Sequence, residues 1–329
     1  MHTTFRIAAL ALATLTVCTA QAQDYPAAGK SITLVVPFTA GGPTDRVARD
    51  LAEALRKPLG GATVLVENTA GAGSSIGTAK VARSPADGYT LLINHIAMAT
   101  MPGLYRKLPF DVMKDFEFAG IVNDVPMTLI ARPTLEAKNF AELTDWIKQG
   151  KGKVNLGNAG VGSASHLCGL MLQSAMNTEM TPVPYKGAAP AITDLMGGTI
   201  DLLCDQTTNT TSQIEAKKVK AYAVTTPQRL KVAALKDLPT LGELGVKNFN
   251  VSIWHGVYAP KGTPEAVMAK LNTAIQAALK DPEFIKKQEG LGAVIATDKR
   301  IERAGHKEFV QSEINSWTKV IKAAGQFAD

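Results

Sequence analysis

Val35-Val36-Pro37-Phe38-Thr39-Ala40-Gly41-Gly42-Pro43-Thr44-Asp45 runs from an apolar strand through a small-residue turn into the start of a helix. Val66-Glu67-Asn68-Thr69-Ala70-Gly71-Ala72-Gly73-Ser74-Ser75 does the same some thirty residues later. Turns of this kind leave backbone N–H groups free at the positive end of a helix dipole. With few large side chains in the way, an anion can reach the main chain. Two more junctions of the type follow, Val154 to His166 with Gly157, Gly160 and Gly162, and Pro184-Tyr185-Lys186-Gly187-Ala188-Ala189-Pro190. Strand candidates at Ile32–Val36, Thr63–Glu67, Tyr89–Asn94, Phe118–Val122, Met127–Ala131, Val154–Gly157, Thr181–Pro184, Thr199–Cys204, Ala221–Thr225 and Ser252–Ala259 alternate with helical patterns. That alternation predicts an α/β fold with mainly parallel sheet flanked by helices, and ligands in such sheets sit off the carboxyl ends of the strands. The two early turns and the two later ones are therefore expected to face each other across a cleft.

The ends and the composition narrow the class. Arg6, an apolar run from Ile7 to Val17, and Ala20-Gln21-Ala22 form a secretory signal with cleavage expected after Ala22, so the mature chain is expected to be exported. Cys18 opens a lipoprotein alternative, against which stands Val17, larger than a lipid-attachment site wants. No later apolar stretch is long enough to span a bilayer. The chain carries 35 Lys and Arg against 29 Asp and Glu, scattered without interleaved aromatics, which reads as a solvated surface and not a nucleic-acid footprint. No CxxC pair or His/Cys cluster suggests a metal, and no cofactor is expected. Cys168 and Cys204 sit among apolar neighbours; they either pair or remain buried thiols, and spacing alone does not decide.

Enzyme motifs fit poorly. Gly73-Ser74-Ser75-Ile76-Gly77 matches G-x-S-x-G, but Asn68 to Ser74 intervene after the strand, where a nucleophile elbow follows its strand at once; a hydrolase using Ser75 stays a minor alternative. Gly71-Ala72-Gly73 begins a dinucleotide fingerprint that Ile76 breaks, and the Walker pattern is absent. A plain carboxylate suits these turns better. Asp45 is expected to complement the helix dipole or to order the first turn by accepting hydrogen bonds, and Ser74, Ser75, Ser163 and Ser165 are helix caps or ligand donors. His95 at a strand end, His166 in a helix first turn and Asp205 at another strand end are candidate ligand contacts or ordinary structural residues. Tyr185 and Trp254 are candidates for an apolar wall, with core packing the plainer role.

Ordered matches over nearly the whole chain resemble the receptor proteins of tripartite tricarboxylate transporters, the Bug-type extracytoplasmic solute-binding proteins. They include Pro37-Phe38 with Ala40-Gly41-Gly42 and Asp45, Glu67-Asn68 with Gly71-Ala72-Gly73, Ser84-Pro85-Ala86-Asp87-Gly88-Tyr89, and Leu108-Pro109-Phe110-Asp111. Gly162-Ser163 with His166-Leu167, Pro184-Tyr185-Lys186-Gly187, Asp194-Leu195-Met196-Gly197-Gly198, Trp254-His255-Gly256 and Ala259-Pro260-Lys261-Gly262-Thr263-Pro264 continue the series. The resemblance implies a two-lobed Venus-flytrap protein, not an enzyme, that closes on a small carboxylate and hands it to membrane transporter subunits. Its lobes are expected at residues 23–123 with 226–329, and at 124–225, in a monomeric chain. Phe38, Thr39, Ala40, Gly41, Thr44 and Asp45, with Ala72, Gly73, Ser74 and Ser75, are implied to clasp one carboxylate. Gly162, Ser163, Ala164, Ser165, Tyr185, Lys186, Gly187 and Asp205 are implied to meet the ligand from the other side, and His95 stands where ligand choice is made. Di- and tricarboxylates, an aromatic one such as terephthalate included, are the expected ligands; a sensory receptor for a membrane kinase is the alternative use of the same closed form.

Overall fold

Strand and helix alternate from the start: β1 (Ile32–Val36), α1 (Pro43–Arg56), β2 (Val64–Asn68), α2 (Ser75–Ala82), β3 (Thr90–His95) and α3 (Ala97–Leu104) lead into the long β4 (Phe116–Ala131). The middle of the chain continues with α4 (Phe140–Gln149), β5 (Asn155–Asn158), α5 (Ala164–Met176), β6 (Thr181–Pro184), α6 (Ala188–Gly197), β7 (Leu202–Gln206), α7 (Thr207–Glu215) and β8 (Lys220–Val224). Then come β9 (Ser252–Pro260), α8 (Glu265–Ala278), α9 (Pro282–Gly290), β10 (Val294–Ile295) and α10 (Arg303–Ala324). This computed structural model describes residues 25–324 and 327–328; the signal peptide expected over residues 1–22 lies outside the described residues.

The strands form one mixed sheet in the order β2-β1-β3-β9-β4-β7-β5-β6, with β8 and β10 also on β4. It is parallel where strand and helix alternate, in β2-β1-β3 and β6-β5-β7. Around β4 and β9 it is antiparallel, because these two long strands run against each other. Between Phe116 and Pro126, β4 pairs with β9; from Met127 to Ala131 it pairs with β7 and β8. A single strand thus belongs to both halves of the sheet. The sequence reads it as two strands broken near Pro126, since proline removes a ladder donor. Pro126 stands opposite Ser252, the first residue of β9, and the partner changes at the next residue, so the lost N–H interrupts nothing.

Helices close the faces. α1 buries Val47, Ala48, Leu51 and Leu55 at helical spacing, in one cluster with Ile32, Leu34 and Val36 of β1 and Leu91 and Ile93 of β3. Asp281 caps α9 through Glu283 and Phe284 N–H, and Asn139 caps α4 through Glu142 N–H. Cys168 on α5 and Cys204 on β7 form a disulfide with Cα atoms 6.1 Å apart, which settles the choice that spacing left open. Among the described residues no helix is long and apolar enough to cross a membrane.

Candidate functional site

Four helices begin at one place. Pro43 and Thr44 of α1, Ala164 and Ser165 of α5, Ala188 of α6, and Gln206, the residue before α7, line a nearly closed cavity of about 10 Å³. Phe38, His95, Ala159 and Asp205 complete the lining, and no Lys or Arg is among them. The N-cap residues Gly42, Gly187 and Gln206 make no side-chain capping bond, so the first N–H groups of α1, α6 and α7 face the cavity end uncapped. Each helix adds a partial positive charge there. A cleft ringed by neutral donors suits an anion by its chemistry, and it must open to admit one.

The first turn is held in shape by Asp45. Its carboxylate accepts from Gly41 N–H (2.9 Å), from Arg49 through two hydrogen bonds (2.9 and 3.0 Å), and from Asn68 Nδ2 (3.0 Å). Burial pushes this carboxyl up, but the bonds from Arg49, Gly41 and Asn68 outweigh it and hold the group below the usual carboxylate range. Asp45 is thus an ordering residue, its lone pairs turned to the protein. Thr44 is committed similarly. His255 Nδ1 faces Asn123 Oδ1 (2.9 Å), an acceptor, so it carries the proton, and His255 Nε2 receives the Thr44 hydroxyl (3.4 Å). Asn123 Nδ2 in turn donates to Gln288, and Gln288 Nε2 to Asp50 (2.9 and 2.7 Å). What Thr44 has left for an anion is its backbone N–H.

The second turn is built from left-handed backbone. Gly71, Ala72, Gly73 and Ser74 have φ of 135°, 43°, 57° and 90° in succession. Ala72 and Ser74 lack glycine's freedom there, and hydrogen bonds hold them: the Tyr105 hydroxyl donates to Ala72 O (2.8 Å), and Asn94 Nδ2, buried, to Ser74 Oγ (3.3 Å). The Ser74 hydroxyl points at Met101 Sδ (3.6 Å), into the core and away from any ligand. Ser75 opens α2, and among the described residues no hydrogen bond joins its hydroxyl to a histidine, the pairing a serine nucleophile needs.

Turns from the two halves meet here. A Cβ on Gly73 would lie 1.9 Å from Val161 O, and one on Gly187 2.1 Å from Thr39 Oγ1. Thr100 Oγ1 donates to Gly162 O (3.1 Å) across the same seam. On the far side, Ser163 Oγ caps α5 by accepting from His166 N–H, Ser165 Oγ accepts from Ala159 N–H, and the two hydroxyls are 3.2 Å apart. One proton satisfies that contact and the other is left over, with Ser165 the member that lines the cavity.

His95 supplies a further donor. Its Nδ1 accepts from Ala97 N–H (3.1 Å), which leaves the proton on Nε2, and its ring stacks on Phe38 with centroids 4.7 Å apart. Burial pushes His95 down to about 3, and burial with the Arg300 charge does the same to His306; His255 lies well below its ordinary value through burial and His95. Asp205 moves the other way, pushed up to about 6 by burial against bonds from Asn209 and Gln206. These shifts set an acid instability. An unfolded histidine titrates near 6.5, so below that pH the unfolded chain takes protons the folded one refuses. The stability this confers is complete above pH 6.5 and is lost as the pH falls toward 3. Asp205 binds its proton more tightly when folded, so its burial costs stability above about pH 6 and that cost disappears on acidification. From pH 7 to 5, His95 and His306 remove about 2 kcal/mol each and Asp205 restores about 1, a net loss of about 3 kcal/mol, to which His255 adds. Urea melts at the two pH values measure it; equal midpoints would contradict the buried neutral histidines.

Of the residues singled out from sequence, Phe38, Thr44, His95, Ala164, Ser165 and Asp205 line the cavity. Asp45, Gly73, Ser163 and Gly187 shape its walls as described, and Thr39, Ala40, Gly41, Ala72, Ser74, Ser75 and Gly162 belong to the turns around it. Tyr185 and Lys186 do not reach in: the Tyr185 hydroxyl donates to Asp194 (2.6 Å) and Lys186 is exposed. Trp254 packs on Phe309 and donates to Glu313 on α10, away from the cavity. His166, with Nδ1 accepting from Gly162 N–H, lies on a separate open groove. The sequence reading misses Pro43, Ala159, Ala188 and Gln206. Three of them carry no chemistry beyond their backbone, whereas Gln206, a polar residue next to Asp205 at a strand end, gave a usable signal.

A mixed sheet in two halves sharing a long strand, with helix N-termini gathered on a cavity at the seam, defines a solute-binding protein of the periplasmic type. The family model of the tripartite tricarboxylate transporter family receptor matches residues 47–326, and the chain belongs to that family. It is 48% identical over 322 residues, covering 97% of this chain and 91% of the relative, to the UPF0065 protein in the TAR-I ttuE-ttuC' intergenic region of Agrobacterium vitis. The solved structure of periplasmic binding protein BugD is similar at TM-score 0.87 and 47% identity, over 91% of this chain and 99% of that one. MatC from Rhodopseudomonas palustris with bound malate is similar at TM-score 0.84 and 34% identity, over 88% and 98%. The family and these neighbours are solute-binding proteins, not enzymes.

Proposed function

We propose that this protein is an exported receptor that encloses a short di- or tricarboxylate between two lobes and delivers it to a tripartite tricarboxylate-type membrane transporter. The observation that carries the reading is the convergence of four helix N-termini on a small cavity without Lys or Arg. Neutral, preset donors hold a carboxylate with little dependence on salt. The lobes are residues 23–123 with 226–329, and 124–225, hinged where β4 passes from one half of the sheet to the other. Thr44 and the turn ordered by Asp45 take one carboxylate together with Gly73 and His95 Nε2, and closure brings Ser165 and the N-termini of α6 and α7 onto it. The malate bound to the similar MatC supports the size class. Phe38 and His95 are the aromatic part of the lining. A thermal-shift screen with native mass spectrometry tests this. A carboxylate at 100 times its dissociation constant is expected to add about 2.7 kcal/mol of stability and to appear as a bound mass. A panel of di- and tricarboxylates that yields neither shift nor bound mass would overturn the reading.

A further inference from the structure

The cavity is lined by donors except at one end. Asp205 closes β7 and Gln206 precedes α7, each 1% exposed, and both line the space. Asp205 Oδ2 accepts from Asn209 Nδ2 (2.6 Å), which fixes the carboxyl from behind. Gln206 Oε1 is buried with no hydrogen-bond partner in the protein. A carboxylate oxygen only accepts, so it can satisfy the helix N–H groups, His95 Nε2 and the spare serine proton, but neither of these two acceptors. A buried acceptor left unmet is costly, and the group that meets it must carry a proton.

We propose that Asp205 and Gln206 form an acceptor pair that selects carboxylates bearing a hydroxyl or an amine on the chain over plain chains of the same length. The pair lines the same cavity as Thr44 at the start of α1, so a ligand held by one carboxylate at α1 has its chain substituents within that shared space. A plain dicarboxylate leaves Gln206 Oε1 unmet, whereas the added hydroxyl or amine supplies the proton it lacks. Discrimination built on a buried hydrogen bond is steep, because the wrong ligand leaves protein groups unpaired. This inference rests on the carboxylate-receptor reading and adds to it the substituent that is read.

Calorimetric titration with matched pairs tests it: malate or aspartate against succinate, and citrate against tricarballylate, each with the full mature chain. The wild type is expected to bind the hydroxyl- or amine-bearing member of its preferred pair at least ten-fold more tightly. In Asp205→Asn, which keeps shape and one acceptor, that ratio is expected to fall several-fold, and in Gln206→Met, an independent variant, to fall as well. Thermal melts identify any variant that has not folded. A wild-type ratio near one, or a ratio unchanged in both folded variants while carboxylates still bind, overturns the acceptor pair and leaves the receptor reading standing. Binding of no member of any pair overturns both.

Discussion

Gly73→Ala is expected to weaken carboxylate binding by three orders of magnitude or more, about 4 kcal/mol, while the protein stays folded. The added methyl would sit 1.9 Å from Val161 O and 2.9 Å from the Tyr105 hydroxyl oxygen, far inside any real contact. Val161 O is backbone in the Gly160–Gly162 turn and has no rotamer with which to yield. The relief available is for the two turns to part, which separates the α1 and α2 ends from the α5 end. Gly73 also stands at φ 57°, where an alanine costs about 1 to 2 kcal/mol, so a drop in melting temperature alone says little. Gly187→Ala separates the two effects: at φ 174° it carries no backbone strain, yet its methyl would lie 2.1 Å from Thr39 Oγ1 and 2.8 Å from Thr39 N. Calorimetry measures the affinities, and small-angle scattering with saturating ligand measures the shape. Both variants are expected to stay more extended than the wild type under ligand. A Gly73→Ala protein that binds as tightly and compacts as fully would show that the seam is not closed on the ligand.

The turns that make this seam were legible because their chemistry is backbone chemistry. Gly41-Gly42, Gly71-Ala72-Gly73 and Gly160-Val161-Gly162 announce free N–H groups by what they lack. Strands such as Ile32–Val36 and Thr181–Pro184 follow from local apolar runs and coincide with β1 and β6. Less local features do not read out. β4 continues through Pro126 because β9 begins opposite it, a fact about a partner more than a hundred residues away. α7, Thr207-Thr208-Asn209-Thr210-Thr211-Ser212-Gln213-Ile214-Glu215, has poor helix propensity, and tertiary bonds offset this: Thr128 Oγ1 donates to Thr210 Oγ1 (2.8 Å), and Thr211 Oγ1 lies within bonding distance of Thr207 O and Leu291 O. With that helix unread, the fourth N-terminus went unread too. Tyr185 shows the opposite error. Its motif Pro184-Tyr185-Lys186-Gly187 drew attention to the side chains, whereas the structure uses Gly187 and the backbone, and sends the tyrosine hydroxyl to Asp194.

Removing the disulfide, as Cys168→Ala with Cys204→Ala, is expected to lower stability by about 4 kcal/mol. The cross-link joins residues 36 apart, and closing a loop of that length in the unfolded chain accounts for about this much. Both cysteines are at most 1% exposed, so the double variant also leaves a small packing defect on the same side of the ledger. Against a total of about 5 to 15 kcal/mol the fold survives. The functional cost follows from position. Cys168 lies one helical turn from Ser165, and Cys204 is bonded directly to Asp205, so the bridge fixes the spacing between the serine donor of α5 and the acceptor end of β7. Without it, α5 is held by the packing of Leu167 and Leu172 in the main core and by the hydrogen bonds of Ser165 and Gln173. Urea melts of the oxidised wild type, the reduced wild type and the double variant separate cross-link from packing: the reduced protein is expected to fall nearly as far as the variant. Ligand affinity measured below the melting transition is expected to drop about ten-fold in both, because a looser α5 must be ordered when the cavity closes. A reduced protein with an unchanged urea midpoint would mean that the bridge constrains nothing the packing does not already hold.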